Sequence, residues 1–469
     1  MLPSTTRSVF LLVIMGLSCA TPIPSTARDS DPDRSFGAAG RVVMPFPGGL
    51  SIVERFADVK LLQDQKLLVS ATVATGGPAD SDMGVMRLNA NGSLDTTFGV
   101  GGARVVGFDR PGSSNSDIVR GMDVDANGRI VLFGEAAGGV GGIDMAVVRL
   151  TADGSLDNSF GSGGKATVAF DLGSTPARRG DQATKGIVLA NGSIVVVGLA
   201  STAAGSVMAI ARLTPGGLLD TAFDGDGKVT LSFGGGLADT ALAYSVLAAA
   251  DGQRIYAVGG AAVSGNYDFA IARLLGNGSL DTTFGGDGMV TFGFDIAGTL
   301  ADVATGMVVL PDGRFLLCGA ALVASPYNSD FACVRLLASG AFDSGFYPAL
   351  VPFDLDSNKT DDAYATRLDA QGRILMAGSA SISNPWQKMA VARLLASGQV
   401  DPSFGNDGRI TFDGGSGSLS AEAGSLLVQP DGKIVVAGST TLGTGNSYVQ
   451  VVRMIGDTVF GSDFEVSMQ

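Results

Sequence analysis

The chain has 469 residues, a formal net charge of −14 at pH 7, 16% charged residues, 69 glycines and no histidine. Without histidine, Ser-His-Asp or Cys-His nucleophile activation and His-ligated zinc or copper are excluded, and an acidic chain lacking clustered Lys and Arg is not built for nucleic acid. Abundant glycine with few charges fits many strands joined by tight turns.

At the start, Arg7, the apolar run Val9–Leu17 and Ser18-Cys19-Ala20 make the charged, apolar and small-residue regions of an export signal. A signal peptide is expected over 1–20 and a linker over 21–32. The run is shorter than the roughly 20 residues of a membrane helix, and no later stretch is long and apolar enough. No transmembrane anchor is expected, and the predicted location is periplasmic or extracellular. Lipid anchoring through Cys19 is disfavoured, because Gly16 stands where a lipobox carries an aliphatic residue.

Asp33-Arg34-Ser35-Phe36-Gly37 follows, then a short β-rich run, Arg41 to Phe46. From Arg87 a motif returns through the chain: RLNANGSLDTTFG from Arg87, RLTADGSLDNSFG from Arg149, RLTPGGLLDTAFD from Arg212, RLLGNGSLDTTFG from Arg273, RLLASGAFDSGFY from Arg335, RLLASGQVDPSFG from Arg393 and the half-copy RMIGD from Arg453. The arginines are 62, 63, 61, 62, 58 and 60 residues apart, the mark of repeated supersecondary units. Between copies the pattern predicts four strands. After Gly288 these are 289–294, 304–310, 314–319 and 331–336, the middle two joined by the turn Pro311-Asp312-Gly313. Asn127-Gly128, Asn191-Gly192, Asp251-Gly252, Gln371-Gly372 and Asp431-Gly432 mark the same hairpin elsewhere.

The Arg-bearing strand is apolar on both faces, so it must lie between neighbouring sheets. Units stacked radially make a β-propeller; a solenoid would bury the strand equally well, and the chain ends decide between them. Each of Arg87, Arg149, Arg212, Arg273, Arg335 and Arg393 has an Asp eight residues on: Asp95, Asp157, Asp220, Asp281, Asp343 and Asp401. Arg453 has none, whereas Asp33 has no preceding Arg. The predicted fold is therefore all-β, a seven-bladed β-propeller of about 60-residue four-stranded repeats over 33–455, closed by the N-terminal strand completing the last blade. A C-terminal tail occupies 456–469. The Arg–Asp pairs are read as structural, each Asp accepting from the guanidinium and from turn amides.

The pattern RLxxxGsLDxxFG with its DGkIvvaG hairpin resembles the delta-60 repeat, a bacterial propeller-type repeat of exported proteins, over roughly Asp33 to Met454. The resemblance implies a propeller and an exported habitat; the family has no common activity or catalytic residues to carry over. The tail VFGSDFE, Val459 to Glu465, is weakly similar to endings of exported bacterial proteins and implies a Gram-negative source. The fifth copy departs from the pattern at Phe346-Tyr347-Pro348.

Hairpin and LDxxFG turns share one face, leaving variable loops on the other. There Asp109, Asp171, Asp295, Asp354 and Asp413 end one strand, while Asp117, Asp181, Asp302 and Asp361 approach the next. Capping of their own turns is the favoured reading, and calcium sites at Asp109, Asp171, Asp295 and Asp354 the lesser one; no other cofactor is expected. Tyr267, Tyr327, Trp386 and Tyr448 fall in loops of the variable face, where aromatics stack on sugars or anchor a protein loop. Cys318 and Cys333 read as small core residues, with a cross-strand bridge as the alternative. No catalytic residue is singled out. The expected function is a monomeric, non-catalytic exported module binding a protein or glycan on its variable face. The alternatives are a carboxylate-based glycosidase or lyase, which needs acids that do not repeat, and a purely structural envelope protein.

Overall fold

The computed structural model describes residues 29–456, except 54–57, 78–79, 111–114, 139–141, 174–179, 235–239, 250–251, 264–265, 297–300, 325–327, 356–358, 384–385 and 444. The expected signal peptide with Cys19, most of the linker, Tyr327 and the tail from 457 onward lie outside the described residues.

All regular structure is β. Strand β1 (Arg41–Met44) precedes six runs of four: β2–β5 (Val59–Leu61, Leu67–Gly77, Asp80–Leu88, Ala103–Val106), β6–β9 (Asp117–Val124, Ile130–Gly138, Gly142–Leu150, Lys165–Val168), β10–β13 (Asp181–Val188, Ile194–Ser201, Ser206–Leu213, Lys228–Leu231), β14–β17 (Ala241–Ala248, Arg254–Val263, Asn266–Leu275, Met289–Phe292), β18–β21 (Asp302–Val309, Phe315–Ala324, Asn328–Leu336, Ala349–Val351) and β22–β25 (Lys359–Leu368, Ile374–Ser383, Trp386–Leu394, Arg409–Phe412). Three strands close the series, β26–β28 (Ser418–Val428, Ile434–Leu442, Ser447–Met454). Each run is an antiparallel four-stranded unit, and β18–β21 and β22–β25 are merged into one eight-stranded sheet by the two parallel pairs Asn328↔Lys359 and Ser329↔Thr360. The last three strands take β1 as their fourth, in the register Arg41↔Val452 to Met44↔Val449. An edge that three strands would leave open on β28 is thereby paired.

The third strand of each unit reads as continuous apolar sequence because both its faces are covered. Seven apolar clusters each draw on two units. One joins Phe36, Val42, Val449 and Val451 to Leu67, Val69 and Val73 of the first full unit. Cys318 and Cys333 are directly paired across β19 and β20, fully buried, and disulfide-bonded. The reading of them as free core residues is corrected: an apolar cross-strand site brings the two side chains together on one face.

A glycine recurs within the second strand of most units for a definite reason. The first strand of most units carries a β-bulge, as between Ala183 and Lys185. It pushes a carbonyl at the neighbouring strand, and a Cβ on Gly198 would lie 1.8 Å from the Gln182 carbonyl oxygen. Only glycine leaves room for this. In the first unit the equivalent residue is Ala71, and β2 is three residues long with no bulge in its register.

Candidate functional site: the central cavity

The repeated Arg and Asp form clips. Nε donates to Asp Oδ2 at 2.7 Å in Arg87–Asp95, Arg212–Asp220 and Arg335–Asp343, and at 2.8 Å in Arg149–Asp157 and Arg393–Asp401. Arg273–Asp281 stands at 2.9 Å. Arg453 meets Asp33 at 2.8 Å across 420 residues. The Asp Oδ1 accepts the amide two residues on, Ser35, Thr97 or Ser159 for instance. Each guanidinium also lies 4.5–4.9 Å from the ring centroid of the motif Phe. Its Nη1 leaves the unit altogether: Arg87 donates to the Ala152 carbonyl, Arg149 to Pro215, Arg273 to Ala338, Arg335 to Ala396 and Arg453 back to Ala90. Arg393 takes the Asp29 carboxylate instead. These groups are largely taken up with one another, as expected of structural pairs.

The expected loop placement of three aromatic candidates is corrected; Tyr327, the fourth, lies outside the described residues. Tyr267, Trp386 and Tyr448 belong to strands β16, β24 and β28 and are half-buried. The Tyr267 ring covers Gly260, where a Cβ would meet it at 2.3 Å, so it fills a glycine gap on its own sheet. The strands run further into the loops than turn residues suggested.

Of the strand-end acids, Asp413 caps its own turn, its Oδ1 accepting the Gly415 amide at 3.0 Å. Asp109, Asp171, Asp295 and Asp354 have positive φ, 46–55°, and the amides preceding them are taken by the second acid: Phe108 by Asp117 at 2.5 Å, Phe170 by Asp181 at 2.6 Å, Phe294 by Asp302 at 2.7 Å and Phe353 by Asp361 at 2.6 Å.

Chemistry that does not repeat is gathered at the centre. A cavity of about 480 Å³ is lined by first strands or adjoining residues of all seven units, with Asp58, Arg120, Lys185, Tyr244, Thr305, Asp362, Arg367 and Ser425 among its walls. By register, Asp58 stands where the other units place Gly121, Lys185, Ser245, Gly306, Ala365 and Ser425. Asp362 stands where they place Ile118, Gln182, Leu242, Val303 and Glu422. Neither acid belongs to the repeat, which is why a search for recurring residues passes over both; departure from the pattern in a first strand was the available signal.

Their environments differ. Asp58 is buried and saturated: Oδ1 accepts Ser425 Oγ at 2.7 Å and the Val59 amide at 2.9 Å, and Oδ2 accepts Lys185 Nζ at 2.7 Å and the Met122 amide at 3.0 Å. Burial pushes its carboxyl up, but the Lys185 and Lys60 charges and these bonds hold it well below the usual carboxylate range. Asp362 is pushed up by burial, only partly offset by hydrogen bonds from Ser329 (2.8 Å) and Tyr364. Lys185 is pulled down by burial and partly restored by Asp58. Burial also lowers Arg367, which donates to the Thr366 carbonyl at 2.8 Å and has no carboxylate within ion-pair distance among the described residues.

Comparison with known proteins follows the repeats. Residues 66–98, 126–160, 189–223, 250–284, 371–404 and 429–453 match a family model described as a domain of unknown function (DUF5122) beta-propeller. These six segments are similar to the repeats of a β-propeller family. The model skips the copy from Arg335, the one interrupted by Tyr347-Pro348, and the match supports a propeller repeat without singling out the delta-60 type. No curated protein matches. Among solved structures the chain is similar to a protein of unknown function from Dyadobacter fermentans (11% identity, 89% of this chain and 98% of that one, TM-score 0.44). It is also similar to the Penicillium chrysogenum α-L-arabinanase complexed with arabinobiose (11%, 88% and 97%, 0.44) and to the β-propeller domain of the Pyrococcus furiosus Trilobed protease (8%, 87% and 99%, 0.39). α-L-arabinofuranosidases from Fusarium graminearum and Lactobacillus brevis are in the same company. The expectation of a non-catalytic binding module on the variable face is corrected by the geometry: its aromatic candidates among the described residues lie on strands, and Asp58 and Asp362, which do not repeat, line the central cavity.

Proposed function

We propose that the protein is a carbohydrate-cleaving enzyme acting outside the cytoplasm, with its site in the central cavity of a closed seven-bladed propeller. One observation carries the reading: two non-repeated carboxyls line one cavity with opposed proton affinity, Asp58 held ionised and Asp362 pushed toward its protonated form. Glycosidic cleavage needs that asymmetry, one acid to protonate the leaving oxygen and one carboxylate to stabilise positive charge developing at the sugar carbon. Asp362 is the proton donor in this scheme. Asp58, fixed by four hydrogen bonds, supplies charge and not a bond-forming oxygen; as the glycosidic bond breaks, a water adds to the sugar carbon and returns a proton to Asp362. Arg367, with no carboxylate of its own, orients a hydroxyl or acid group of the sugar.

Ring closure in this reading is supported by β1 pairing with β28, by Arg453 reaching Ala90, and by the contact of β26 with β2 beside the cavity. The export reading rests on Arg7, Val9–Leu17 and Ser18–Ala20. The test is hydrolysis of a panel of aryl glycosides and arabino-, xylo- and uronate-containing oligosaccharides by the full chain. Asp362→Asn is expected to cut kcat by about 100-fold or more, as loss of a general acid does, with an unchanged melting temperature. Absence of turnover across the panel, or wild-type rates in Asp362→Asn, overturns the assignment.

A further inference from the structure

Arg367 occupies one fixed place in its unit: it lies on β22 opposite Leu375, the residue of β23 that pairs in turn with the clip arginine Arg393. The same place holds Lys60 in the first full unit and Asp123 in the second, and these two meet each other at 3.1 Å. In the units on either side of Arg367 it holds Val308 and Leu427. Arg367 therefore departs from the repeat as Asp58 and Asp362 do, and neither neighbouring unit offers it a counterpart.

The charges around it do not balance. Lys60 and Lys185 act on Asp58, Lys60 and Arg367 act on Lys185, and Asp58 and Asp123 act on Arg367. Three cations, Lys60, Lys185 and Arg367, thus share two carboxylates, Asp58 and Asp123. Both carboxylates are spent on other groups. Asp123 gives Oδ1 to Lys60 and Oδ2 to the Val188 amide at 2.8 Å. Asp58 gives its oxygens to Lys185, Ser425 and two amides. Arg120, the other guanidinium on the cavity wall, has Glu135 at 2.9 Å. One positive charge is left over inside a chain whose net charge is −14.

The surplus charge faces open space. Arg367 spends one donor, Nη1, on the Thr366 carbonyl; the rest of its guanidinium meets no acceptor among the described residues. Its side chain is half-buried and lines the cavity together with Gln182, Tyr244, Ser245 and Tyr364. Amide, hydroxyl and phenol groups of this kind suit sugar hydroxyls, and a cavity of about 480 Å³ falls in the usual range for small-molecule sites.

We propose that the cavity takes a sugar bearing a carboxylate, a uronate, whose acid group binds the Arg367 guanidinium through paired N–H···O bonds. A neutral sugar in the same place would strip the guanidinium of solvent and return no charge, so the site selects against it. That the ligand is a sugar rests on the cleavage reading above; the anion site rests on the charge surplus alone.

The experiment is calorimetric titration of the full chain with D-galacturonate and D-glucuronate. Galactose, glucose, the methyl esters of both uronates and galactose 6-sulfate are titrated beside them. At least one uronate is expected to bind, about tenfold or more tighter than its neutral sugar and its methyl ester. Arg367→Gln is expected to erase that preference and to melt no lower than the parent, because it removes a charge that has no partner. Arg367→Lys, which keeps the charge but not the planar fork, is expected to retain part of the preference. Should the Gln variant melt lower, loss of all preference in a Lys variant that melts with the parent overturns the proposal. So does binding of neither uronate, equal binding of a uronate and its methyl ester, equal binding of galactose 6-sulfate, or an intact preference in Arg367→Gln. Turnover separates this outcome from the fate of the cleavage reading. Cleavage of neutral oligosaccharides without uronate binding removes the anion site and leaves the enzyme, whereas uronate binding with no turnover of any oligosaccharide removes the enzyme and leaves the anion site.

Discussion

Two populations of aspartate in this molecule are tuned in opposite directions by their neighbours. For Asp33, Asp157 and Asp401, burial alone would raise the carboxyl, but hydrogen bonds from the Ser two residues on and the clip arginine charge hold it below the usual range. In Asp361, burial raises the group to about 7; the Phe353 and Asp354 amides offset part of this, and Asp330 and Asp354 add to it. The linkage signs differ accordingly. A clip carboxylate contributes stability above pH 4 that is lost as pH falls through its depressed folded value. Asp361 in the folded chain keeps a proton the unfolded chain has lost between about pH 4 and pH 7, so stability falls as pH rises across that window. Asp361→Asn is therefore expected to flatten the pH dependence of unfolding from pH 4 to 8 and to add on the order of 2 kcal/mol at pH 8, read from urea denaturation at each pH. For the clips, Asp281→Ala leaves Arg273 buried without its carboxylate, a loss of about 3 kcal/mol. Asp33→Ala is expected to cost as much despite its distance from Arg453 in sequence.

At the scale of the strand, the repeat was legible because each conserved letter has one task. Arg and Asp make the clip, Phe fills the interval between units, and the glycine after IVVV admits a bulged carbonyl. Gly198→Ala is expected to destabilise by about 2–3 kcal/mol, and chemical denaturation of the variant tests this; a loss under about 0.5 kcal/mol, the usual range of surface substitutions, would show that the bulge yields. What sequence could not deliver follows from the same economy. Tyr267 and Trp386 sit next to Asn and Ser, which read as loop, yet the hairpins lengthen there and the rings lie on strands. Asp82, Asp144, Asp268 and Asp330 went unremarked as single acids in apolar strands, although their constant offset of five residues from the clip arginine was visible. Asp58 and Asp362 are invisible to repeat logic by definition, since an active centre built from similar units must come from residues in which the units differ.

Across the whole molecule, groups separated by the full length of the chain meet: β1 on β28, Arg453 on Asp33 and Ala90, and Phe36 and Phe46 in the cluster shared with Leu67 and Val69. The proposed closed ring would have no privileged start, whereas an open stack depends on its terminal units as caps. The two models separate under circular permutation. Joining residue 456 to residue 29 through a short Gly-Ser linker and opening the chain at 139–141, between β7 and β8, keeps every clip and every inter-unit cluster. It only moves the break from one hairpin sheet to another. The closed ring predicts that this permutant folds with the same β signature and melts in one transition within a few degrees of the parent. Deleting 29–46, by contrast, strips β1 and Asp33 together. It leaves β28 as an unpaired edge and Arg453 without its carboxylate, so the shortened chain is expected to self-associate or unfold well below the parent temperature. Equal stability of the deletion and the parent would mean that the last sheet is held without β1. Failure of the permutant alone would place the requirement in the β7–β8 hairpin and not in the ring.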